Sequence, residues 1–377
     1  MALSLSTPSL IKPLQYLYQA PKSNGILKTY PEDFCVKEHL GFDLNNSGDP
    51  HHGGEHVFVY IQKRNANTMF VAEALSKHLK IHPKLISHAG LKDRNALTEQ
   101  WFGIHLPGKE TPDLLSLEHP EFKVLKQVRH NKKLKTGALA GNFFKLIVRD
   151  INDKIDVESR LAQIKLTGVP NYFGEQRFGH EDGNLSKAIA WSKGLGRIPD
   201  RSRRSFFLSA ARSFFFNSIV SARLENGSYA TPLIGDQVQF TDGNSYFTVK
   251  AEDLTDVTTR FKLGLLRITA PLIGKAPWKS AQQEILSLDT DNINNIENLN
   301  EFGLDKIDLF EKNIVSTYPE LFKLLVKETA THRRAISLMP QDLSWNWLDD
   351  ATLEVSFYLP SGCYATTIMR EVVTEQV

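Results

Sequence analysis

The chain has 377 residues, enough for about two domains. Its 41% hydrophobic and 23% charged residues are those of a soluble globular protein, and no apolar run approaches a membrane span. With only Cys35 and Cys363 there is no disulfide framework and no C-x-x-C to hold zinc, so a reducing cytoplasm is the expected setting.

The first 25 residues read as a loosely held lead-in, broken by Pro8 and Pro13 and unlike a signal peptide. Ile26 to Leu40 reads as strand, turn, strand: Pro31-Glu-Asp marks the turn, and Phe34 and Val36 alternate with Cys35 and Lys37. Asn45 to Gly54 is a polar loop, and His56 to Gln62 a strand. The pattern predicts a helix over Thr68–Leu79, capped by Asn67 or Thr68, with Phe70, Val71, Ala74, Leu75 and Leu79 on one face. Trp101 begins a strand-like run, and Asn142 to Val148 is another strand after the Gly137–Gly141 bend. Asp156 caps a helix over Asp156–Leu166 that ends at Gly168 and Pro170, with Val157, Leu161 and Ile164 as its apolar stripe.

Asn171 to Gly179 carries two glycines, three aromatics and an arginine, more than a linker requires, and a domain junction is expected near it. Ser205 to Leu224 is an apolar helix that includes Phe206 and Phe214. Short strands follow over Ser228–Val249, then an Asn-rich loop over Asp289–Asn300, then helix over Leu309–Glu328 broken at Pro319. Asp350 to Leu359 is a strand, Pro360-Ser361-Gly362 a turn, and Tyr364 to Val373 a helix. This ending has the composition of the first domain, and the chain is expected to return to it.

Charge is segregated although the net is only +2. Lys123, Lys126, Arg129, Lys132, Lys133, Lys135, Lys145 and Arg149 face a single acid, Glu121; Arg201, Arg203, Arg204 and Arg212 form a second basic group; Glu284 to Glu311 is acidic. Segregated bases suggest a basic groove, although charge runs commonly just solvate a surface.

The stretch His88–Gln100 centres on Lys92-Asp93-Arg94, just after Gly90. A carboxylate set on a bend between two cations suits a nucleophile or an electrostatic stabiliser that meets a polyanion. On these residues alone, a turn aspartate with solvated neighbours is the favoured reading, and other parts of the chain reverse that order. Phosphate-binding glycine loops, H-E-x-x-H and G-x-S-x-G are absent, so nothing implies a nucleotide cofactor. His51, His52 and His56 cluster, but no carboxylate or Cys sits at a spacing that would complete a metal site. A single conspicuous Asp, basic stretches, and aromatics beside Gly and Arg favour a nucleic-acid ligand with chemistry on an everted base.

Five strings together, GLKDRNALTEQ, ALAGNFF, NYFGEQRFGH, RSFFLSAARS and LPSGCYATTIMRE, resemble the tRNA pseudouridine synthase D (TruD) family, in family order from about Gly25 to Glu371. The resemblance implies an α+β fold: a pseudouridine-synthase mixed sheet with flanking helices plus an inserted α/β TruD-specific domain. It divides the chain into residues 1–167 (catalytic, first part), 168–335 (inserted) and 336–377 (catalytic, return). It implies isomerisation of uridine 13 in the D-arm of tRNA to pseudouridine, without a cofactor, with Asp93 as nucleophile. Phe34, Asn142, Phe144 and Tyr364 are carried over as substrate-binding residues, Tyr364 standing where the bacterial pattern has Phe; Lys28 and Arg370 are charged neighbours of the carboxylate. tRNA is the expected partner, with no membrane, no small-molecule cofactor and a monomeric chain. Two other readings stay open: a non-catalytic tRNA-binding or chaperone protein of the same fold, and a base glycosylase.

Overall fold

The structure is a computed structural model that describes residues 12–44, 54–179, 182–196, 198, 200–243, 245–275 and 306–376. His51, His52 and the Asn-rich Asp289–Asn300 segment lie outside the described residues, as does most of the acidic stretch. The chain forms two compact units, one of residues 20–168 and 339–377, the other of 1–19 and 169–338.

The first unit is built on a mixed sheet of eleven strands among the described residues. In chain order these are β1 (Asn24–Leu27), β2 (Phe34–Leu40), β3 (His56–Arg64), β4 (Ile86–His88), β5 (Leu97–His105), β6 (Glu118–His119), β7 (Phe122–His130) and β8 (Leu139–Arg149). Later strands complete it: β15 (Gln341–Trp347), β16 (Leu353–Pro360) and β17 (Thr374–Glu375). The spatial order is β15-β16-β8-β2-β5-β3-β7-β6. Along that path only β2 and β5 run parallel, with Cys35 opposite Leu97. β16 pairs with β8 over eight positions, from Leu353 opposite Val148 to Pro360 opposite Gly141.

A period of two fixes which side chains share a face. In β2 the inward phase is Phe34, Val36, Glu38 and Leu40; in β8 it is Asn142, Phe144, Leu146 and Val148. In β3 it runs Val57, Val59, Ile61 and then Lys63, all fully buried. Helix α1 (Thr68–Leu79) buries Val71, Ala72 and Leu75 against Val57, Val59, Ile61, Phe102 and Ile104. Its cap is Asn67, whose side chain accepts from the Phe70 N–H at 2.7 Å. Phe70 itself is exposed and meets His119 edge-on, off the apolar stripe the sequence suggests.

Helix α2 (Lys154–Thr167) buries Val157, Leu161 and Ile164 as expected, but its cap is Asp153, which accepts from the Asp156 N–H. Asp156 instead bonds the Lys22 N–H and the Arg160 guanidinium. That contact, with Arg160 donating to the Ala20 carbonyl, ties down residues that read as a loose lead-in. Two tryptophans of β15, Trp345 and Trp347, donate their indole N–H groups to Glu158 of α2. The last helix spans only Ala365–Arg370, shorter than the pattern suggests, because the chain leaves it to form β17 beside β1.

In the second unit, β9 (Val169–Pro170) pairs with β14 (Ser337–Leu338), and a four-stranded sheet is formed by β10 (Gln237–Phe240), β11 (Tyr246–Thr248), β12 (Leu266–Leu272) and β13 (His332–Ala335). Helix α3 (Gly183–Ser192) precedes the long α4 (Arg201–Glu225). In α4, Phe214, Phe215, Phe216, Ile219 and Val220 are buried, whereas Phe206 is exposed. Arg223 of α4 is sealed against Asp236 at 2.7 Å. Helices Lys306–Val315 and Pro319–Glu328 flank the expected break at Pro319. The NYFG segment is held by a reciprocal pair of bonds: the Phe173 N–H donates to Asn217 Oδ1, and Asn217 Nδ2 donates to the Phe173 carbonyl. No described helix is long and apolar enough to cross a membrane.

Candidate active site

The parallel pairing of β2 with β5 brings the segments that precede both strands to the same end of the sheet. Lys28 lies six residues before Phe34, and Asp93 four residues before Leu97. Lys28 Nζ stands 2.9 Å from Asp93 Oδ2 and 4.2 Å from the centre of the Phe34 ring. Lys28 has a φ of 61°, a left-handed conformation that side chains rarely adopt. The Asp93 side chain keeps 30% of its surface exposed.

The loop carrying Asp93 is held at several points. Gln100 Nε2 donates to the Gly90 carbonyl, and the Lys92 N–H donates to Thr68 Oγ1 at 3.0 Å. Thr68 in turn donates to Gln100 Oε1 at 2.8 Å. The Lys92 ammonium turns inward to Glu38 Oε1 at 2.7 Å, and the other oxygen of Glu38 accepts the Trp101 N–H. Lys63 Nζ donates to the Asp93 carbonyl at 2.9 Å and to the Ala66 carbonyl at 2.6 Å. Burial pushes the Lys63 ammonium down to about 8.

This corrects one sequence expectation. Lys28, which the family resemblance names as a charged neighbour, pairs with the Asp93 carboxylate from sixty-five residues away in sequence, whereas the adjacent Lys92 pairs with Glu38. Glu38 and Lys63, which the sequence reading passed over, were detectable: each places a charge on the apolar phase of its strand.

Phe34 and Phe144 are buried and meet edge-on at 6.3 Å, and Phe144 leans on Phe357 of β16. Asn142, opposite Glu38 on β8, is buried, and its Oδ1 has no hydrogen-bond partner among the described residues. Gly141 precedes it because a side chain there would collide with the Leu359 carbonyl and the Tyr358 hydroxyl. Tyr364, half-buried, caps the last helix five residues beyond Leu359, the β16 partner of Asn142. Arg370 ends that helix and pairs with the fully buried Glu371 at 2.8 Å. Direct bonds and ring contacts thus join Lys28, Phe34, Phe144 and Asp93; sheet register brings Asn142 to the same face; Tyr364 and Arg370 follow from β16.

Several bases of the positive stretches serve structure instead of forming a groove. Arg129 donates to the carbonyls of Gly54 and Leu106, Lys145 pairs with Glu354, and Arg149 grips the buried Asp33 with two bonds. Arg212 donates to the Leu272 and Ala330 carbonyls, and burial lowers its pKa. His56 stacks on His105, and no cluster of metal-binding side chains occurs among the described residues.

The fold is that of a known class. A crystal structure of a TruD protein from Methanosarcina mazei superposes with a TM-score of 0.64 over 96% of both chains, at 24% identity, a likeness of fold. The model of the tRNA pseudouridine synthase D (TruD) family matches residues 11–189 and 183–372. A tRNA pseudouridine synthase D from Proteus mirabilis is 43% identical over 361 residues, covering 96% of this chain and 95% of that one. The chain belongs to the tRNA pseudouridine synthase D family.

Proposed function

We propose that the chain isomerises uridine 13 in the D-arm of tRNA to pseudouridine, with Asp93 as the nucleophile and no cofactor. In this reading the unit of residues 20–168 and 339–377 is catalytic, and residues 169–338 form the inserted domain. The observation that carries it is the Asp93 carboxylate: partly exposed, on a loop bonded to the sheet, with one ammonium 2.9 Å away.

Substrate and product are isomers. The C1′–N1 bond breaks, the uracil turns, a C1′–C5 bond forms, and the C5 proton is lost while N1 gains one. No electrons leave the system, so the reaction requires no redox partner. The base must first leave its stack, at a cost of about a few kcal/mol. Contacts to phosphate and stacking on a ring offset that cost. Asp93 then acts as an anion, either adding to the sugar or removing a ribose proton. Lys28 pairs with that anion before substrate arrives. Phe34 and Phe144 supply an apolar floor, and Asn142 Oδ1 is an acceptor suited to the N3–H of uracil. Tyr364, less buried than the two phenylalanines, is the ring assigned to stacking.

The test is Asp93→Ala with carbodiimide mapping of pseudouridine in a tRNA transcript. The expected result is no adduct at position 13 and tRNA binding within about twofold of wild type, because phosphate contacts dominate affinity. Turnover near wild type sinks the assignment. Binding by the wild-type protein with no new adduct anywhere supports a non-catalytic tRNA-binding role, and strand scission supports a glycosylase.

A further inference from the structure

We propose that Lys63 is a positioning residue, whose ammonium clamps the Asp93 carbonyl to the Ala66 carbonyl and so sets the direction in which the Asp93 carboxyl leaves its loop. The inference rests on the reading of Asp93 as nucleophile.

Lys63 is the last inward residue of β3 and has no exposed surface. Burying an ammonium is costly, and such groups are usually paired with a carboxylate. Lys63 instead donates to two backbone carbonyls, at 2.6 and 2.9 Å. The two carbonyls belong to different pieces of chain. Ala66 lies in the turn from β3 into α1, beside Asn65 with its left-handed φ of 52°. Asp93 lies in the loop into β5. The Asn65 N–H donates to the Ala96 carbonyl at 3.2 Å, a second tie between the same two segments. A bond to the backbone of the reacting residue fixes its Cα position, and a misplacement of about 1 Å can cost about a hundredfold in rate.

The charge matters because charge-assisted bonds are about twice as strong as neutral ones. Burial, with a smaller contribution from Lys92, outweighs the opposing carboxylates of Asp93 and Glu38 and brings the pKa of Lys63 down to about 8. The ammonium is therefore lost as pH rises through about 8. The effect on stability has the opposite sign. Unfolded Lys titrates near about 10.4, so between the two values the unfolded chain holds the extra proton and the contribution of Lys63 to stability rises with pH. A purely structural lysine would leave activity steady or improved over that window; a positioning lysine makes activity fall while stability does not.

The experiment compares wild type, Lys63→Met and Lys63→Gln by single-turnover kinetics on a tRNA transcript between about pH 7 and 9.5, with thermal unfolding alongside. Expected at neutral pH is a loss in kcat of about tenfold or more for Lys63→Met with KM within about twofold, and partial recovery in Lys63→Gln, which keeps two N–H donors. The wild-type rate falls through about pH 8, and the residual rate of Lys63→Gln stays flat there. A folded Lys63→Met with wild-type kcat, or an alkaline fall in Lys63→Gln identical to that of wild type, overturns the proposal. Should neither variant fold, the wild-type profile decides: a flat rate overturns it, and a fall with undiminished melting temperature and unchanged tRNA affinity supports it. Asp93→Asn separates the two levels. An active Asp93→Asn sinks the nucleophile reading, whereas an inactive Asp93→Asn beside a fully active Lys63→Met sinks only the role of Lys63.

Discussion

Replacing Lys92 by Met is expected to be among the most damaging single changes in the first unit, although Lys92 sits in a loop next to the partly exposed Asp93 and pairs instead with Glu38. Its ammonium is 2.7 Å from Glu38 Oε1, and the two side chains keep 9% and 0% of their surface. At an effective dielectric constant of about 20 the attraction at that distance is about 6 kcal/mol. Desolvating both ions cancels much of it, so the pair adds little net stability. Removing one partner is different. In Lys92→Met the Glu38 carboxylate stays buried with only the Trp101 N–H to bond, and the expected loss is about 3–5 kcal/mol. Removing the second charge as well, in Glu38→Leu/Lys92→Met, is expected to recover about 2–3 kcal/mol. Urea unfolding followed by tryptophan fluorescence is well suited, since the Trp101 ring is buried against Tyr60 and becomes exposed on unfolding. A loss under about 1 kcal/mol for Lys92→Met, or a double variant no more stable than the single, refutes the reasoning.

Gly141→Ala would drive its new methyl into the Leu359 carbonyl across the β8–β16 pairing, where the backbone cannot yield without opening the ladder. A loss of about 1–3 kcal/mol in thermal unfolding is expected, and a wild-type melting temperature contradicts it. In the other unit, Arg223→Met strands the fully buried Asp236, which accepts two guanidinium bonds at 2.7 and 2.9 Å. The expected cost is about 3–5 kcal/mol by urea unfolding, and an unchanged midpoint counts against the pair.

Local patterning carried much of the fold. The alternation in β2 and the apolar stripes of α1 and α2 are readable because burial imposes a period of 2 or 3.6 on the sequence itself. Ends were less legible: Asp153 and Asp156 are equivalent caps on paper, and only the demand of Arg160 and the Lys22 N–H for a carboxylate separates them. Partners were least legible from the local string, although the family resemblance named Lys28. The Lys92-Asp93-Arg94 string invites a reading in which neighbours in sequence are neighbours in charge. The structure pairs Asp93 with Lys28 and Lys92 with Glu38, partners that lie far away in sequence. Within the basic runs, Arg129 and Arg149 are bound to carbonyls and to Asp33, a use that the charge pattern alone does not reveal. The informative signal was the rarer one, a charge where the strand phase calls for an aliphatic side chain, as at Glu38 and Lys63.

The single parallel neighbour pair in the main sheet path, β2 beside β5, has a consequence for how the molecule comes together. Two hairpin partners can zip from a turn, but these two strands meet only after β3, α1 and β4 have been laid down between them. The entropy of closing that long crossover is spent before any of its contacts repay it. Lys28 and Asp93 are therefore expected to come into register after the hairpins have formed, since their contact waits on that crossover.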